Sequence, residues 1–597
     1  MMSSGKKSWF FFLPAWMHDE EEGTALVASS HHDGDDEQKQ PPASADDDDH
    51  PKEEEEMMKE PPAASCHEET KTKTKEAGSS SSRSSAAAWW RLLLPTTRGA
   101  VGLVISGLIF LALLLTTTTT WWTHLDYSSS SFLLGSSSNG RTERGERGPH
   151  HSASANNLNL LGTAIPIPFS CGNNSSSSPS SSSMTRTPPN SSSSSEEAVD
   201  VMCPDYFRYI HSDLSPWRDK GGITREAVES AQPRAAFRLT VVNGRAFVET
   251  YHRVFQTRDT FTKWGIAQLL ARYPGRVPDL DLMFNCEDMP EIRNNDQSTP
   301  PLFRYCKDDS TLDIVFPDWS FWGWPEVNIR PWAPLLEDII ANDVLPWTEK
   351  TPYAYWKGNA GVSAARRDLL RCNGTDKNNA CVLFNQDWRA AIRNGFKDGS
   401  NLAEQCRYRY KIFVQGRSWS VSQKYILACN SPVLLVDTPF RDFVSRGLVA
   451  GDHYWPIDPK RKCPAIKFAV DWGNDHAVES ERMAREGSGF ARRQMAIDYV
   501  YDYMLHLLTE YAKLLRYKPV VPENAVELLP ETVACPSISR GTEFEFMMQS
   551  RETHVAAYQP CKMPPPFTAQ DLQNMARRDK QVRGRVNKMM RNYYKHK

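Results

Sequence analysis

The chain of 597 residues is longer than one ordinary domain, and its 70 Lys and Arg nearly balance 73 Asp and Glu, for a net charge of −3. A chain without a general positive charge is not expected to be a nucleic-acid binder. The balance hides a local asymmetry, because positions 1–60 contain 17 acidic and 5 basic residues. Runs of like charge resist collapse, so residues 1–98 are predicted to form an acidic, disordered tail.

An uncharged segment follows at 99–122, with the sequence GAVGLVISGLIFLALLLTTTTTWW. About 20 apolar residues span a bilayer, and paired tryptophans are typical of a membrane interface. Arg91 and Arg98 precede the segment, and the next basic residue is Arg141, which predicts a cytosolic N-terminus. The segment is therefore predicted to be the single transmembrane signal-anchor of a type II membrane protein. A buried core helix and a cleaved signal peptide are the alternatives.

Residues 123–200 are rich in serine and poor in apolar residues, which predicts a flexible lumenal stem. Eleven of the twelve cysteines follow the membrane segment, as expected for an oxidising compartment. Four sequons for N-glycosylation also follow it, at Asn173, Asn174, Asn190 and Asn373. A membrane anchor without a KDEL-type ending favours the Golgi membrane over the endoplasmic reticulum, with the catalytic region in the lumen.

Beyond Cys203 the sequence becomes rich in aromatic and branched residues and predicts alternating strands and helices. Residues 235–251 predict a hairpin with an Asn243-Gly244 turn, 260–274 a helix and 280–288 a buried strand. Later, 410–414 and 432–437 predict strands on either side of a short helix, and 489–516 predict a long helix. This alternation predicts an α/β protein with parallel sheets. We expect two lobes, at 201–345 and 346–540, and a C-terminal extension at 541–597.

The first candidate segment is DLDLMFNCEDMP, at 279–290, where acidic residues follow a predicted strand. Ligands bind at the carboxyl ends of strands in open α/β sheets, so a general base is expected here. Asp288 is the candidate base and Glu287 its immediate competitor. Asp279 and Asp281 resemble a DxD metal motif, but turn chemistry after Pro278 explains them better.

Aromatic residues are concentrated in PDWSFWGWPEVNIRPW, at 317–332. Aromatic rings often line carbohydrate sites, because they pack against the apolar faces of sugars. Most of these rings are expected in the core, and Ser320 and Trp322 are the candidates for facing a ligand.

The third segment, YWKGNAGVSAARRDLLRC at 355–372, places Gly358 in a turn before Arg366 and Arg367. Guanidinium groups bind oxyanions in bidentate fashion, so this pair is a candidate for a diphosphate. A solvated basic face of a helix is the common alternative.

The fourth segment is VQGRSWSVSQKYILACNSPVLLV, at 414–436. Gly416 allows the backbone to turn, and three serines precede or open the short helix. Free N–H groups at a helix start bind phosphate, whereas an ordinary capped helix is the alternative. The chain contains neither a GxGxxG nor a GxxxxGK[ST] motif, and the kinase motifs are missing too.

Taken together, these segments resemble glycosyltransferase family 90, the group of protein O-glucosyltransferases, Rumi and capsule-associated proteins, in the form of its plant members. The likeness covers roughly 200–570 and also includes HYWPI, KFAVDWGN and YVYDYMLHLLTEYAKLL. It implies a GT-B fold, in which two Rossmann-like lobes face a cleft. It also implies a UDP-sugar donor held mainly by the C-terminal lobe, an inverting transfer and no catalytic metal or other cofactor.

The family's N-x-x-D-x-P segment matches Asn285–Pro290 and assigns the catalytic role to Asp288. The resemblance places Ser320 near the donor and assigns a donor arginine to Arg366 or Arg367. The donor candidates from all segments are Ser320, Trp322, Gly358, Arg366, Arg367, Gly416, Arg417, Ser418, Trp419, Ser420 and Ser422. Animal members have an arginine where this sequence has Ser422, and Arg417 is a candidate substitute for its charge.

The resemblance also implies a disulfide between Cys406 and Cys429. Pairs Cys286–Cys306 and Cys372–Cys381 are further expectations from proximity in the sequence. The expected activity is transfer of xylose, glucose or galactose from its UDP-sugar to a hydroxyl of a glycan or protein in the secretory pathway. The alternative is an inactive relative that serves as a lumenal sugar-binding or scaffold protein.

Overall fold

The computed structural model describes residues 164–172, 201–373, 380–394, 396 and 402–597. The acidic tail, the predicted membrane segment, most of the stem and the sequons at Asn173, Asn174 and Asn190 lie outside these ranges. Among the described residues, no helix combines the length and the apolar character needed to cross a membrane.

Strands form three sheets in the described ranges. The strands are β1 (Phe237–Val242), β2 (Arg245–Thr250), β3 (Leu280–Phe284), β4 (Leu302–Arg304), β5 (Cys306–Lys307), β6 (Ile314–Val315), β7 (Thr351–Gly358), β8 (Cys381–Asn385), β9 (Tyr408–Phe413), β10 (Val433–Val436), β11 (Arg441–Asp442), β12 (Tyr454–Ile457) and β13 (Val526–Glu527).

The first sheet has the strand order β13-β2-β1-β3-β4-β6. Its hairpin turns at Asn243 and Gly244, whose φ angles of 52° and 76° are both positive, as a type I′ turn requires. The prediction of the hairpin is confirmed. The predicted α/β fold with parallel sheets is confirmed in part here: β3, β4 and β6 are parallel, whereas β1 runs antiparallel to both β2 and β3.

The second sheet is parallel throughout, with the order β12-β10-β9-β7-β8. In chain order this is the doubly wound arrangement 2-1-3-4-5, so the connections leave β7 and β9 in opposite directions. The carboxyl ends of β7 and β9 therefore form the topological switch point, where ligands bind in such sheets. A third sheet pairs β5 with β11 and joins the two lobes directly.

Helices lie between and after the strands. They are α1 (Tyr209–Asp219), α2 (Arg225–Glu229), α3 (Arg258–Arg272), α4 (Trp332–Asn342), α5 (Ala364–Leu369), α6 (Trp388–Arg393), α7 (Ser422–Leu427), α8 (Lys462–Asp475), α9 (Ala477–Gly489), α10 (Ile497–Ala512), α11 (Pro530–Ala534), α12 (Thr542–Gln549) and α13 (Ala569–Lys595).

The long helix predicted at 489–516 is interrupted. A π-helical segment, Phe490–Gln494, ends α9, and α10 begins only at Ile497. The carbonyl of Met495 accepts a hydrogen bond of 2.7 Å from the indole of Trp332, which fixes the break. After α10 the chain returns to the first sheet, since β13 pairs with β2. The predicted C-terminal lobe at 346–540 therefore includes a strand of the first sheet.

Four disulfides lie in the described part of the chain: Cys171–Cys535, Cys203–Cys561, Cys372–Cys463 and Cys406–Cys429. The pair Cys406–Cys429 is confirmed. The pair Cys372–Cys381 is wrong, because Cys463 on α8 bonds to Cys372 instead.

The predicted bond between Cys286 and Cys306 is also wrong, since both are buried thiols. The Cys306 thiol donates to the carbonyl of Asp288 at 3.3 Å. Within the predicted stem, residues 164–172 lie against the lobes, and Cys171 is bonded to Cys535.

Candidate active site

Asp288 lies in a short turn after β3. The side chain of Asn285 accepts a hydrogen bond of 2.7 Å from the backbone N–H of Glu287, which bends the chain immediately before Asp288. Glu287 is exposed and Asp288 half-buried. The turn therefore presents the carboxylate of Asp288 at the carboxyl end of a strand, where sequence reasoning expects it.

The Asp288 carboxylate is held by an arginine from α3. Arg258 Nη1 lies 3.1 Å from Asp288 Oδ1 and also donates to the carbonyl of Cys286 at 3.3 Å. The guanidinium lies 4.6 Å from the Trp319 ring and 5.2 Å from the Phe255 ring, and it is buried. These contacts restrict the guanidinium, which pairs with Oδ1 alone, and Oδ2 of Asp288 accepts no hydrogen bond from the described residues.

The loop after β9 packs against the first lobe beside Asp288. The Ser418 hydroxyl donates to the carbonyl of Asp288 at 2.6 Å. Next to it, the Trp419 ring lies 6.0 Å from Trp319 and 5.6 Å from Tyr305, both of the first lobe. The structure thus brings a loop of the second sheet into direct contact with the candidate base.

Arg366 lies at the switch point, on α5 after β7. Its guanidinium donates to the carbonyls of Gln415 and Asn359, at 3.1 and 3.3 Å, and to the Ser420 hydroxyl at 3.1 Å. All three acceptors are neutral, and no carboxylate among the described residues lies within ion-pair distance. Burial lowers the pKa of Arg366 to about 10. A half-buried cation with only neutral partners is suited to bind an anion.

The Ser420 hydroxyl connects Arg366 to the start of α7, since it lies 2.9 Å from the Ser422 hydroxyl. The N-cap residue of α7 is Val421, which makes no side-chain cap, and the Ser420 hydroxyl accepts a hydrogen bond of 3.5 Å from the backbone N–H of Ser422. Gly416 permits a close approach: its N–H donates to the carbonyl of Trp419 at 2.9 Å, and a Cβ there would lie 2.8 Å from that oxygen.

The aromatic segment contributes a buried link between the lobes. Ser320 is fully buried, and Lys424 of α7 donates to its hydroxyl at 2.5 Å. Lys424 also lies 3.8 Å from Asp318, which caps the turn that contains Ser320. Burial lowers the pKa of Lys424, and the nearby Asp318 opposes that shift. Ser320 therefore meets the second lobe but not an open surface.

The remaining donor candidates lie apart from this contact. Trp322 is fully buried and donates from its indole to the Tyr501 hydroxyl at 2.9 Å, so its position is that of a core residue. Arg367 is exposed and bonds the carbonyl of Gly361 at 3.3 Å. Arg417 is exposed as well, without an ion-pair partner in the described ranges. Gly358 ends β7 and accepts from Gln386 at 2.8 Å.

Sequence reasoning missed Arg258 and Lys424. Arg258 lies 30 residues before Asp288, and Lys424 lies 104 residues after Ser320. In the sequence each is an ordinary basic residue in a helix. Their roles follow only from burial against acidic or hydroxyl groups that distant segments supply.

Comparison with known proteins places these segments in one family. The profile of Glycosyl transferase family 90 matches residues 198–590, more than half of the chain, and contains both sheets and the site. Human "Protein O-glucosyltransferase 1" is 25% identical over 346 residues, which are 55% of this chain and 85% of that protein. "O-glucosyltransferase rumi" of Drosophila melanogaster is 24% identical over 340 residues, 54% of this chain and 80% of that protein. These relatives are named as transferases of sugars, and the chain itself belongs to glycosyl transferase family 90.

Proposed function

We propose that this glycosyltransferase has a GT-B architecture and moves a sugar from a UDP-sugar to a hydroxyl of a glycan or protein acceptor, with inversion at the anomeric carbon. The donor occupies the switch point of the parallel sheet, and the acceptor approaches from the first lobe. The return of β13 to the first sheet supports the two-lobed arrangement, because the chain passes from the second lobe back to the first.

One observation carries the proposal. The loop after β9, at 414–421, which we call the donor loop, contacts the candidate base directly, through the Ser418 hydroxyl at 2.6 Å from the Asp288 carbonyl. The same loop accepts, through Ser420, a hydrogen bond from the half-buried Arg366. The candidate base and the candidate anion-binding cation thus contact the same short loop, and this proximity supports transfer from a nucleotide sugar.

The reaction uses these groups as follows. The acceptor hydroxyl oxygen attacks the anomeric carbon while Asp288 Oδ2 takes its proton. The bond from the anomeric carbon to the phosphate oxygen breaks, and its electron pair leaves with UDP. Arg366 and the hydroxyls of Ser420 and Ser422 stabilise the negative charge that develops on the diphosphate. Since these groups come from the chain itself, we expect transfer to continue in the presence of EDTA.

The proposal includes the cellular compartment of the enzyme. Four disulfides indicate an oxidising compartment. We propose a type II Golgi membrane protein with its catalytic lobes in the lumen and with an exposed Asn373 available for glycosylation. Protease protection in sealed microsomes tests this topology: the lobes are protected and the tail is not.

A donor screen tests the activity. The purified chain is incubated with UDP-xylose, UDP-glucose or UDP-galactose, and release of UDP is measured with and without EDTA. The proposal predicts release from one of the three donors in both conditions. Binding of UDP without release from any donor would support the sugar-binding alternative, and failure to bind UDP would contradict both.

A further inference from the structure

The C-terminal helix α13 is long for its role in the fold. It has 27 residues, so it extends about 40 Å. Thr568 and Asp571 form a capping box at its start, with hydrogen bonds of 3.1 and 2.9 Å. The sequence interpretation assigns no role to this extension, and none of its residues belongs to the candidate active site.

One face of α13 packs against the lobes and fixes the helix there. Val582, Val586 and Met590 are buried, and the Tyr593 ring lies 5.3 Å from that of Phe468. The cations on this side are paired with acids: Arg578 bonds Asp452, and Arg583 bonds Asp437 and Asp579. The other acid of the helix, Asp571, bonds Arg208 at 2.7 Å.

The opposite face carries what we call the cationic stripe. Its members are all exposed, and none has an ion-pair partner in the described parts of the chain. They are Arg577, Lys580, Lys588, Arg591 and Lys595. At 100° per residue they fall within an arc of about 80°, over about 27 Å of helix. Neither acid of the helix lies on that arc.

Such a face lowers the stability of the helix, because its charges repel one another and form no ion pairs with the described residues. Like charges three or four residues apart in a helix repel one another by about 0.2–0.5 kcal/mol per pair. The stripe contains three such pairs, whereas Arg578 and Arg583, which face the protein, are paired with acids. The apolar face already fixes the helix on the protein, so the stripe is not needed to stabilise the fold. A straight row of positive charges is complementary to a linear polyanion.

The oxidising compartment and the packing of α13 on the protein indicate which class of polyanion fits the stripe. Four disulfides indicate an oxidising lumen, which excludes nucleic acid. An amphipathic helix binds a membrane through its apolar face, which α13 has buried against the protein, and the anionic surface potential belongs to the cytoplasmic leaflet. A chain of uronic acids offers repeated carboxylates in an extended polymer, which matches a straight row of guanidinium and ammonium groups.

We propose that the cationic stripe of α13 binds a linear acidic polysaccharide, whose carboxylates pair with Arg577, Lys580, Lys588, Arg591 and Lys595. This deepens the proposed function by naming the class of polymer that carries the acceptor. It rests on that function only for the transfer of a sugar to the bound polysaccharide. The binding itself needs no turnover, so the two proposals fail separately.

The test measures binding of polygalacturonic acid to the full chain in a neutral detergent, with dextran as the neutral polymer. The variant Lys588→Glu/Arg591→Glu reverses two charges of the stripe. The variant Lys460→Glu/Lys518→Glu is the matched control, because it lowers the net charge equally at exposed lysines outside α13. Thermal unfolding and hydrolysis of the UDP-sugar show that both variants are folded and retain the active site.

We expect the full chain to bind polygalacturonic acid but not dextran, and salt to weaken the binding. The stripe variant loses at least about tenfold in affinity, and the control variant keeps its affinity within about twofold. Equal losses in both variants, or no binding by the unaltered chain, would overturn the proposal. So would binding to phosphatidylserine vesicles in place of the polysaccharide, which would assign the stripe to a membrane.

Discussion

At the scale of single residues, Arg258 determines where the Asp288 carboxylate lies. Its guanidinium is buried beside two aromatic rings and bonds one carboxylate oxygen at 3.1 Å. Arg258 acts through Asp288 and is therefore a positioning residue. A displaced base loses its alignment with the acceptor hydroxyl, and errors of about 1 Å in such alignments cost about a hundredfold in rate.

We predict that Arg258→Met lowers kcat about a hundredfold, because the carboxylate loses its fixed orientation, while the Kd for UDP changes little. Arg258→Lys keeps one charged donor and restores part of the rate. The control is Arg276→Met, since Arg276 is exposed and its side chain bonds only Gln559 among the described residues. Loss of UDP binding together with rate would contradict the positioning role.

Gly416 is the second residue whose identity has a geometric reason. A Cβ at this position would lie 2.8 Å from the backbone oxygen of Trp419, so Gly416→Ala must displace the donor loop. We predict a loss of about tenfold in UDP affinity, equal to about 1.4 kcal/mol. Calorimetric titration with UDP measures it.

Gly584→Ala is the control for the Gly416 variant, because no atom lies within 4 Å of a Cβ there. That control increases stability by about 0.5–1 kcal/mol, since alanine suits a helix interior. Unchanged UDP affinity in Gly416→Ala would show that the loop is not part of the donor site.

At the scale of elements, strand β9 contains a buried amine that the fold does not satisfy. Lys411 is fully buried, its Nζ has no hydrogen-bond partner among the described residues, and burial lowers its pKa well below 10.5. Its nearest rings are Tyr355 and Tyr408, at 5.1 and 5.6 Å. Lys350 and Arg407 oppose its protonation, and Asp343 favours it.

We predict that Lys411→Met raises the free energy of unfolding by about 1–3 kcal/mol near pH 7, because an apolar side chain replaces an unpaired buried amine. The unfolded lysine keeps a pKa near 10.5, so between that value and the lowered one the unfolded chain binds the extra proton. The stability of the unaltered chain therefore falls as pH falls through this window. Denaturant unfolding at pH 7 and pH 10 measures the gain, which shrinks at the higher pH. A variant less stable at both pH values would contradict the prediction.

The elements also show what the sequence can predict. Helix α7 between β9 and β10, the β1–β2 hairpin and the turn at Asp288 all follow from local patterns of apolar, glycine and polar residues. The break before α10 does not, because it depends on the indole of Trp332, 163 residues earlier in the chain. Likewise Cys463 lies 91 residues from Cys372, and only the packing of α8 brings them together.

At the scale of the whole molecule, contacts between the lobes create the site. Ser418 bonds the backbone of Asp288, Lys424 bonds Ser320, and β11 pairs with β5. The sequence identifies the carboxylate and the donor loop separately. It cannot show that Arg366, rather than Arg367 or Arg417, meets Ser420, because these arginines differ in burial and not in local pattern.

We propose that Asp288 is the base of a transfer whose donor is bound by the second lobe. Asp288→Asn keeps the shape of the side chain but cannot take the proton, and its neighbour Glu287→Gln is the matched control. The most direct test compares sugar transfer and the Kd for UDP in both variants. We predict that Asp288→Asn loses transfer by about 10²–10⁴-fold while its UDP affinity is unchanged, and that Glu287→Gln keeps both. Retained transfer in Asp288→Asn would contradict the account.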